Sequence, residues 1–334
     1  MREFVARKLE RIWYGQELPP LALRLAAGLY RGVTQARLQR PVGRPPCPVI
    51  VVGNLAVGGS GKTPVVAAIA KYLQNNGLAV AIISRGYGGA EPRRPLQVTA
   101  DTPVARSGDE ALELALKTGL PVWVCSRRRR ALEAARRHGA MVVVSDDGLQ
   151  HVDLQRSFEI CLVDGRRGFG NGRLLPAGPL RQPVRRLESV DLVLVKDAGA
   201  GLSSSLPPGE YRGARFQIEP TGIQPLPEAH GASSLRPPEP PQTIDAVAGI
   251  ADPEPFFSHL EARGFSLRRH RLGDHQAISP TWIESLAGPV VMTVKDAMRL
   301  GPCGRQDLFM FEVDARLPGP VLEKVLNHVR EFLS

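Results

Sequence analysis

The chain has 334 residues, enough for about two domains with substantial cores. Its 43% hydrophobic and 23% charged content, with 34 Gly and 30 Pro, excludes collagen, coiled coil and a disordered chain as overall descriptions. Forty-three Lys and Arg against 33 Asp and Glu leave a net charge of +10, which favours a polyanionic partner: nucleic acid, anionic headgroups or a phosphorylated substrate. No uncharged apolar run reaches the ~18–20 residues that span a bilayer. No secretory h-region or cleavage site is legible at the N-terminus, so a cytoplasmic location is expected. Cys47, Cys125, Cys161 and Cys303 are scattered without a CxxC pair and read as reduced thiols.

Residues 1–44 hold nine Arg or Lys against Glu3, Glu10 and Glu17. Arg2 to Trp13 reads as an amphipathic helix, with Phe4, Val5, Leu9, Ile12 and Trp13 on one side and Arg7, Lys8 and Arg11 on the other. After Pro19–Pro20, a second helix from Leu21 to about Leu38 carries Leu21, Leu25, Leu29 and Val33 on one stripe. Such a basic amphipathic pair can lie in a membrane interface or pack on its own domain. Further Arg clusters lie at Arg127–Arg130, Arg136–Arg137, Arg166–Arg167 and Arg181, Arg185, Arg186.

From Cys47 onward the pattern is strand, Gly-rich loop, helix, strand. Strands are expected at Pro48–Val52, Ala79–Ser84, Pro121–Cys125, Ala140–Ser145, Glu159–Val163 and Asp191–Val195, with a helix over Thr63–Asn75. Unalternating apolar runs separated by helices indicate a mainly parallel sheet covered on both faces. Residues 202–243 change character, with nine prolines between Pro207 and Pro241, and read as a strand-containing linker. Beyond it, Thr243–Ile250, Glu254–Arg263, Ser266–Leu272, Pro280–Ala287 and Val290–Val294 alternate strand and helix, closed by a helix over Pro318–Leu333. The expected division is therefore 1–45 basic helices, 46–205 an α/β core, 206–242 a Pro-rich linker and 243–334 a smaller α/β domain.

The first strand ends in N-L-A-V-G-G-S-G-K-T, Asn54 to Thr63. A glycine-rich turn leading into a helix exposes backbone N–H groups that surround phosphate oxygens, and the helix N-terminus adds a favourable field. Gly58, Gly59, Ser60 and Gly61 form the cradle, Lys62 reaches the terminal phosphates, and Thr63 can ligate Mg²⁺. Ala56 stands where the strict P-loop pattern has Gly. The strand before Asp146–Asp147–Gly148 supplies the acid such a site needs. Adjacent strand residues point opposite ways, so one of the two faces the metal directly; Asp147 is taken for the metal and Asp146 for support, an order that the spacing alone leaves open. Arg85-Gly86-Tyr87-Gly88-Gly89 and Gly108-Asp109-Glu110 follow in neighbouring connections.

Taken together, these residues resemble the tetraacyldisaccharide 4′-kinase family of lipid A biosynthesis. The likeness runs through Val52–Pro64, Ser84–Gly89, Gly108–Glu110, Asp146–His151, Phe169–Arg181, V-A-G-I-A at Val247–Ala251, D-H-Q at Asp274–Gln276 and T-V-K-D-A at Thr293–Ala297. It implies a P-loop NTPase-like core plus a smaller C-terminal α/β domain, with the site in the cleft between them. It also implies ATP- and Mg²⁺-dependent phosphorylation of the 4′-hydroxyl of an acylated glucosamine disaccharide 1-phosphate, giving the 1,4′-bisphosphate lipid IVA. Asp109 then looks like the catalytic carboxylate and His275 its partner, with Lys62 stabilising the transferring group. The resemblance further implies peripheral attachment to the cytoplasmic side of the bacterial inner membrane through the N-terminal helices. It implies neither nucleic acid nor an obligate protein partner. The chain departs from the family's pattern at Ala111 after G-D-E, at Val294 in T-V-K-D, and at Ser157 after Arg156. Arg85, Arg127 and Asn171 are further candidate phosphate contacts. A nucleic-acid-dependent P-loop ATPase and a nucleotide-regulated membrane switch are the competing readings; few aromatics, 5% of the chain, and no nucleic-acid motif weigh against the first.

Overall fold

Val49–Val52 are completely buried, which requires elements on both faces and a neighbour on each side. The computed structural model supplies them; it describes residues 2–15, 17–38, 43–90, 92–197, 213–226, 235–250, 252–273 and 276–334. The chain opens with helices α1 (Arg2–Tyr14) and α2 (Leu21–Leu38), then β1 (Val49–Asn54), α3 (Lys62–Asn75) and β2 (Val80–Ser84). Next come β3 (Leu96–Val98), α4 (Val104–Ser107), α5 (Asp109–Thr118), β4 (Val122–Val124), α6 (Arg128–Arg137) and β5 (Val142–Asp146). Three further strands follow, β6 (Phe158–Asp164), β7 (Leu192–Lys196) and β8 (Ala214–Pro225). The last part holds β9 (Thr243–Ala248), α7 (Glu254–Ala262), β10 (Ser266–Arg271), α8 (Pro280–Glu284) and β11 (Val290–Thr293). It closes with α9 (Val294–Arg299), β12 (Leu308–Arg316) and α10 (Gly319–Leu333).

The chain divides into two compact units that are not contiguous blocks. The first comprises Met1–Ser84, Arg127–Ile218 and Ala315–Ser334; the second comprises Arg85–Ser126 and Glu219–Asp314. This differs from the sequential division that composition suggests. Packing groups the segment between β2 and α6 with the C-terminal strands, and returns α10 to the first unit, where it lies against α3.

In the first unit, β7, β6, β1, β5 and β2 lie in that order, and every pairing is parallel. Phosphate-binding turns in open α/β sheets sit at the carboxyl ends of such strands. The register sets Val52 of β1 beside Asp146 of β5, so the Gly-rich turn and the acidic pair leave the sheet at one edge. Helix α3 covers β1, β2 and β5 with Val65, Val66, Ile69 and Leu73 completely buried. In the second unit, β10, β9, β11 and β12 form a parallel sheet over a core that includes Phe256, Phe257, Phe309 and Phe311. β3 and β4 pair antiparallel.

Sequence periodicity does not show β3, β12 or α9. β3 has only three residues, and α9 starts without a break after β11 because the Thr293 hydroxyl accepts the Asp296 N–H and caps it. Cys47, Cys125 and Cys161 are buried and unpaired, and burial pushes the Cys161 thiol up to about 12.

Candidate active site

The turn after β1 is braced from both sides. Gln150 Nε2 donates to the Asn54 carbonyl at 2.8 Å, Val57 N–H donates to the Pro179 carbonyl at 2.8 Å, and Arg181 N–H donates to the Leu55 carbonyl at 2.6 Å. Gly58 and Gly61 take positive φ, 122° and 80°, which an L side chain would strain. Ala56 needs no such freedom. It forms an antiparallel bridge with Leu180, which explains why a side chain is tolerated where the strict motif has Gly. Lys62 opens α3, and its Nζ lies 3.5 Å from Asn54 Oδ1. The Ser60 hydroxyl oxygen is buried and has no hydrogen-bond partner among the described residues.

Asp147 follows β5 with φ 48°, and is the one non-Gly residue among those described with positive φ. Its Oδ2 accepts from Arg181 Nη1 at 2.9 Å. Burial alone would raise its carboxyl, but the charges of Lys62 and Arg181 pull it down to about 2. The other oxygen, Oδ1, is buried with no hydrogen-bond partner among the described residues. Asp146 is 1% exposed, and its carbonyl accepts from the buried Arg128 guanidinium at 2.6 Å. The two acids therefore differ in environment.

The Thr63 hydroxyl and the Asp147 carboxylate are hard oxygen donors, and Asp147 Oδ1 is an orphaned one. Mg²⁺ uses one or two protein ligands and completes its shell with phosphate and water. No group of three His, Cys, Asp or Glu able to hold a metal occurs among the described residues. The donor set fits Mg²⁺ bound with nucleotide and does not form an all-protein cage.

Asp109 belongs to the second unit, at the start of α5, and is 2% exposed. Gly108 before it has φ 81°, and a Cβ there would stand 2.2 Å from the Tyr87 carbonyl oxygen, so the turn that aims Asp109 requires glycine. Asp109 Oδ2 lies 3.1 Å from Arg299 Nε, and Glu110 pairs with Lys295 at 3.3 Å. His275 lies outside the described residues. Arg85 and Arg127 are exposed. Asn171 is not a free headgroup contact: its Nδ2 donates to the Ile12 and Ala177 carbonyls, and its Oδ1 accepts from Arg173 N–H.

The structure thus gathers the Gly58–Thr63 loop, Lys62, Asp146 and Asp147 in one unit, with Asp109 in the other. Periodicity and motif spacing alone do not single out Asn54, Arg128, Gln150, Arg181 or Arg299. Asn54, Gln150 and Arg181 lie inside the recognisable blocks, whereas Arg299 falls two residues past one. Several Arg clusters are used internally. Arg186 pairs with Glu159, Arg128 is buried, and Arg167 pairs with Glu10, so the positive surplus is not one continuous surface stripe.

The sequence profile described as tetraacyldisaccharide-1-P 4′-kinase (LpxK) matches residues 20–330. The chain belongs to the tetraacyldisaccharide 4′-kinase family. A curated relative of that name from Alcanivorax borkumensis is 40% identical over 316 residues, covering 93% of this chain and 92% of its own. Another from Stenotrophomonas maltophilia is 40% identical over 313 residues, covering 92% of each. A crystal structure of LpxK from Aquifex aeolicus, solved in complex with ATP, superposes with a TM-score of 0.72. It is 24% identical and covers 94% of this chain and 99% of that one, which shows the shared fold.

Proposed function

We propose that this chain transfers the γ-phosphoryl group of ATP to the 4′-hydroxyl of tetraacyldisaccharide 1-phosphate, giving the 1,4′-bisphosphate. The observation that carries the reading is an Asp147 carboxyl held low by the charges of Lys62 and Arg181, with its Oδ1 unpartnered among the described residues, in the same unit as the P-loop turn of a chain of this family. Phosphoryl transfer is governed mostly by positioning and charge stabilisation. The loop amides of Gly58–Gly61 hold the phosphates, Lys62 neutralises the terminal group, and Thr63 with Asp147 would hold Mg²⁺, with Asp146 in support. When bound, the ion would supply charge neutralisation to the nucleotide phosphates. The acceptor oxygen forms a bond to γ-phosphorus as the bridging P–O bond breaks and ADP leaves. Asp109, with His275 as its partner, takes the hydroxyl proton.

The acceptor is an amphiphile, so a membrane-facing surface is expected. Among the described residues no helix is long and apolar enough to cross a bilayer. The α1 end packs on its own unit, with Ile12 buried and Trp13 Nε1 donating to the Pro176 carbonyl at 3.0 Å. By contrast, Leu18, Leu21, Leu25, Leu29 and Val33 leave their side chains in solvent, Leu29 at 77% exposure. That stripe, beside Arg24 and Arg31, suits attachment at the cytoplasmic face of the inner membrane.

The test is incubation with labelled ATP and a tetraacyl disaccharide 1-phosphate, followed by product mass. A bisphosphorylated glycolipid is expected. Nucleotide consumption with no such product under any detergent condition overturns the reading. ATP hydrolysis stimulated by RNA or DNA and unaffected by the glycolipid would restore the nucleic-acid alternative, which family membership disfavours.

A further inference from the structure

We infer that Arg299, itself paired with Asp296, is the positioning residue that pairs with the Asp109 carboxylate and holds it for proton transfer. The inference rests on the reading of Asp109 as the proton acceptor.

All the groups involved lie in the second unit. Arg299 Nε is 3.1 Å from Asp109 Oδ2, and the Arg299 side chain is only 10% exposed. Its remaining donors are held by fixed acceptors. Nη2 donates to the Gly249 carbonyl at 3.1 Å, Nη1 to the Gln276 carbonyl at 3.5 Å and Nε to the Lys295 carbonyl at 3.2 Å, and Nη2 stands 3.3 Å from Asp296 Oδ1 as an ion pair. Donation to three backbone carbonyls leaves the guanidinium one available orientation, and it sets the charge beside Asp109 as an ion pair.

Asp296 is completely buried and is anchored in turn. Its Oδ2 accepts from the Thr293 hydroxyl at 2.6 Å and from Gly249 N–H at 2.9 Å. A Cβ at Gly249 would sit 2.8 Å from Asp296 Oδ1, so this approach needs glycine. The V-A-G-I-A and T-V-K-D-A blocks, which phosphate binding leaves without a role, thus converge on one arginine. The network uses Thr293, Lys295 and Asp296 but not the Val294 side chain, so the departure at that position leaves it intact.

The ionisable groups about Asp109 come from several elements. Its own helix carries Glu110, Glu113 and Lys117, and α9 carries Lys295, Asp296 and Arg299. The loop packed on Gly108 carries Arg85 and Tyr87, and Arg106 precedes the turn. Lys295 is engaged with Glu110, and Arg299 is the cation in direct contact with Asp109. Removing it takes a positive charge out of direct contact with a buried carboxylate, which favours the protonated form.

The experiment compares kcat and KM for ATP across about pH 5–9, the range in which raised carboxylates and imidazoles titrate, in the parent, Arg299→Met, Arg299→Lys and Asp109→Asn. Arg299→Met is expected to lower kcat by about a hundredfold with KM for ATP little changed, and to move the acidic limb of the kcat profile up by about one pH unit. Arg299→Lys keeps the charge but loses the fork; it is expected to leave the limb in place and to lose about tenfold in kcat. A folded Arg299→Met whose limb stays put overturns the inference. If that variant does not fold, an Arg299→Lys enzyme with parental kcat overturns it instead. Asp109→Asn separates the two layers. Near-parental turnover in that variant removes Asp109 from the mechanism, whereas an inactive Asp109→Asn beside a pH-neutral Arg299→Met defeats the Arg299 role alone.

Discussion

Arg181 Nη1 meets Asp147 Oδ2 at 2.9 Å across 34 residues of sequence, and the same arginine's N–H reaches the Leu55 carbonyl in the phosphate turn. One residue thereby ties the acidic edge of β5 to the loop after β1. The contact explains why the Phe169–Arg181 segment carries so specific a sequence without being part of a strand or helix.

Replacing Arg181 with Gln removes one of the two main charges that hold the Asp147 carboxyl at about 2. A carboxylate depressed in the folded state adds stability that is complete above its unfolded value, about 3.9, and is lost as pH falls through the folded value. Arg181→Gln raises the folded value and shrinks that window. Denaturant titrations between pH 2 and 5 should show acid destabilisation beginning at higher pH in the variant, together with weaker nucleotide binding at pH 7.

Lys62→Ala is expected to lose phosphoryl transfer by orders of magnitude, at least about a hundredfold, while folding normally, because its contacts are polar and at the surface of the turn. Circular dichroism checks the fold and product mass checks the transfer. Near-parental turnover would exclude Lys62 from charge stabilisation.

Glu113 lies one turn beyond Asp109 and is buried; that burial, opposed by Lys117, pushes its carboxyl up to about 7. The sign is opposite to that of Asp147. An acid raised in the folded state contributes stability that is complete below its unfolded value and is lost as pH rises through about 7. Glu113→Gln should therefore be more stable than the parent at high pH, by at most about 3 kcal/mol, and should flatten the pH dependence. Denaturation midpoints at acidic and alkaline pH measure it, and parallel curves for the two proteins would refute it.

Leu25→Asp with Leu29→Asp should reduce partition onto anionic liposomes by about tenfold or more without loss of thermal stability, since both side chains are exposed. Ile12→Asp is expected to behave differently and to destabilise the first unit, because Ile12 is 4% exposed. Equal partition of the parent and the double variant would assign the α2 stripe to some other contact.

Much of the fold is legible in sequence for a plain reason. Completely buried runs of parallel strand such as Val49–Val52 and Val142–Val144 are continuously apolar, and helix α3 begins where glycine turns give way to Lys62. The phosphate loop is legible because backbone approach to phosphate permits few residue types. β3 and α9 are not, being too short to display a period, and β12 mixes a buried apolar start with a more polar, partly exposed end. The N-terminal helices illustrate the boundary. Both read as amphipathic, yet in α1 the Ile12 and Trp13 end is committed to its own unit, while the α2 stripe is left open.

Sequence by itself determined the parallel α/β architecture of the core, the nucleotide loop, the acidic pair and the family, because each depends on local patterns or on ordered blocks along the chain. Only the tertiary structure decided that 85–126 packs with the C-terminal strands, that Arg181 pairs with Asp147, and that Arg299 stands against Asp109. Those facts concern which charges share a low-dielectric neighbourhood. Coulomb energy depends on separation in space, and separation along the chain carries almost no information about it.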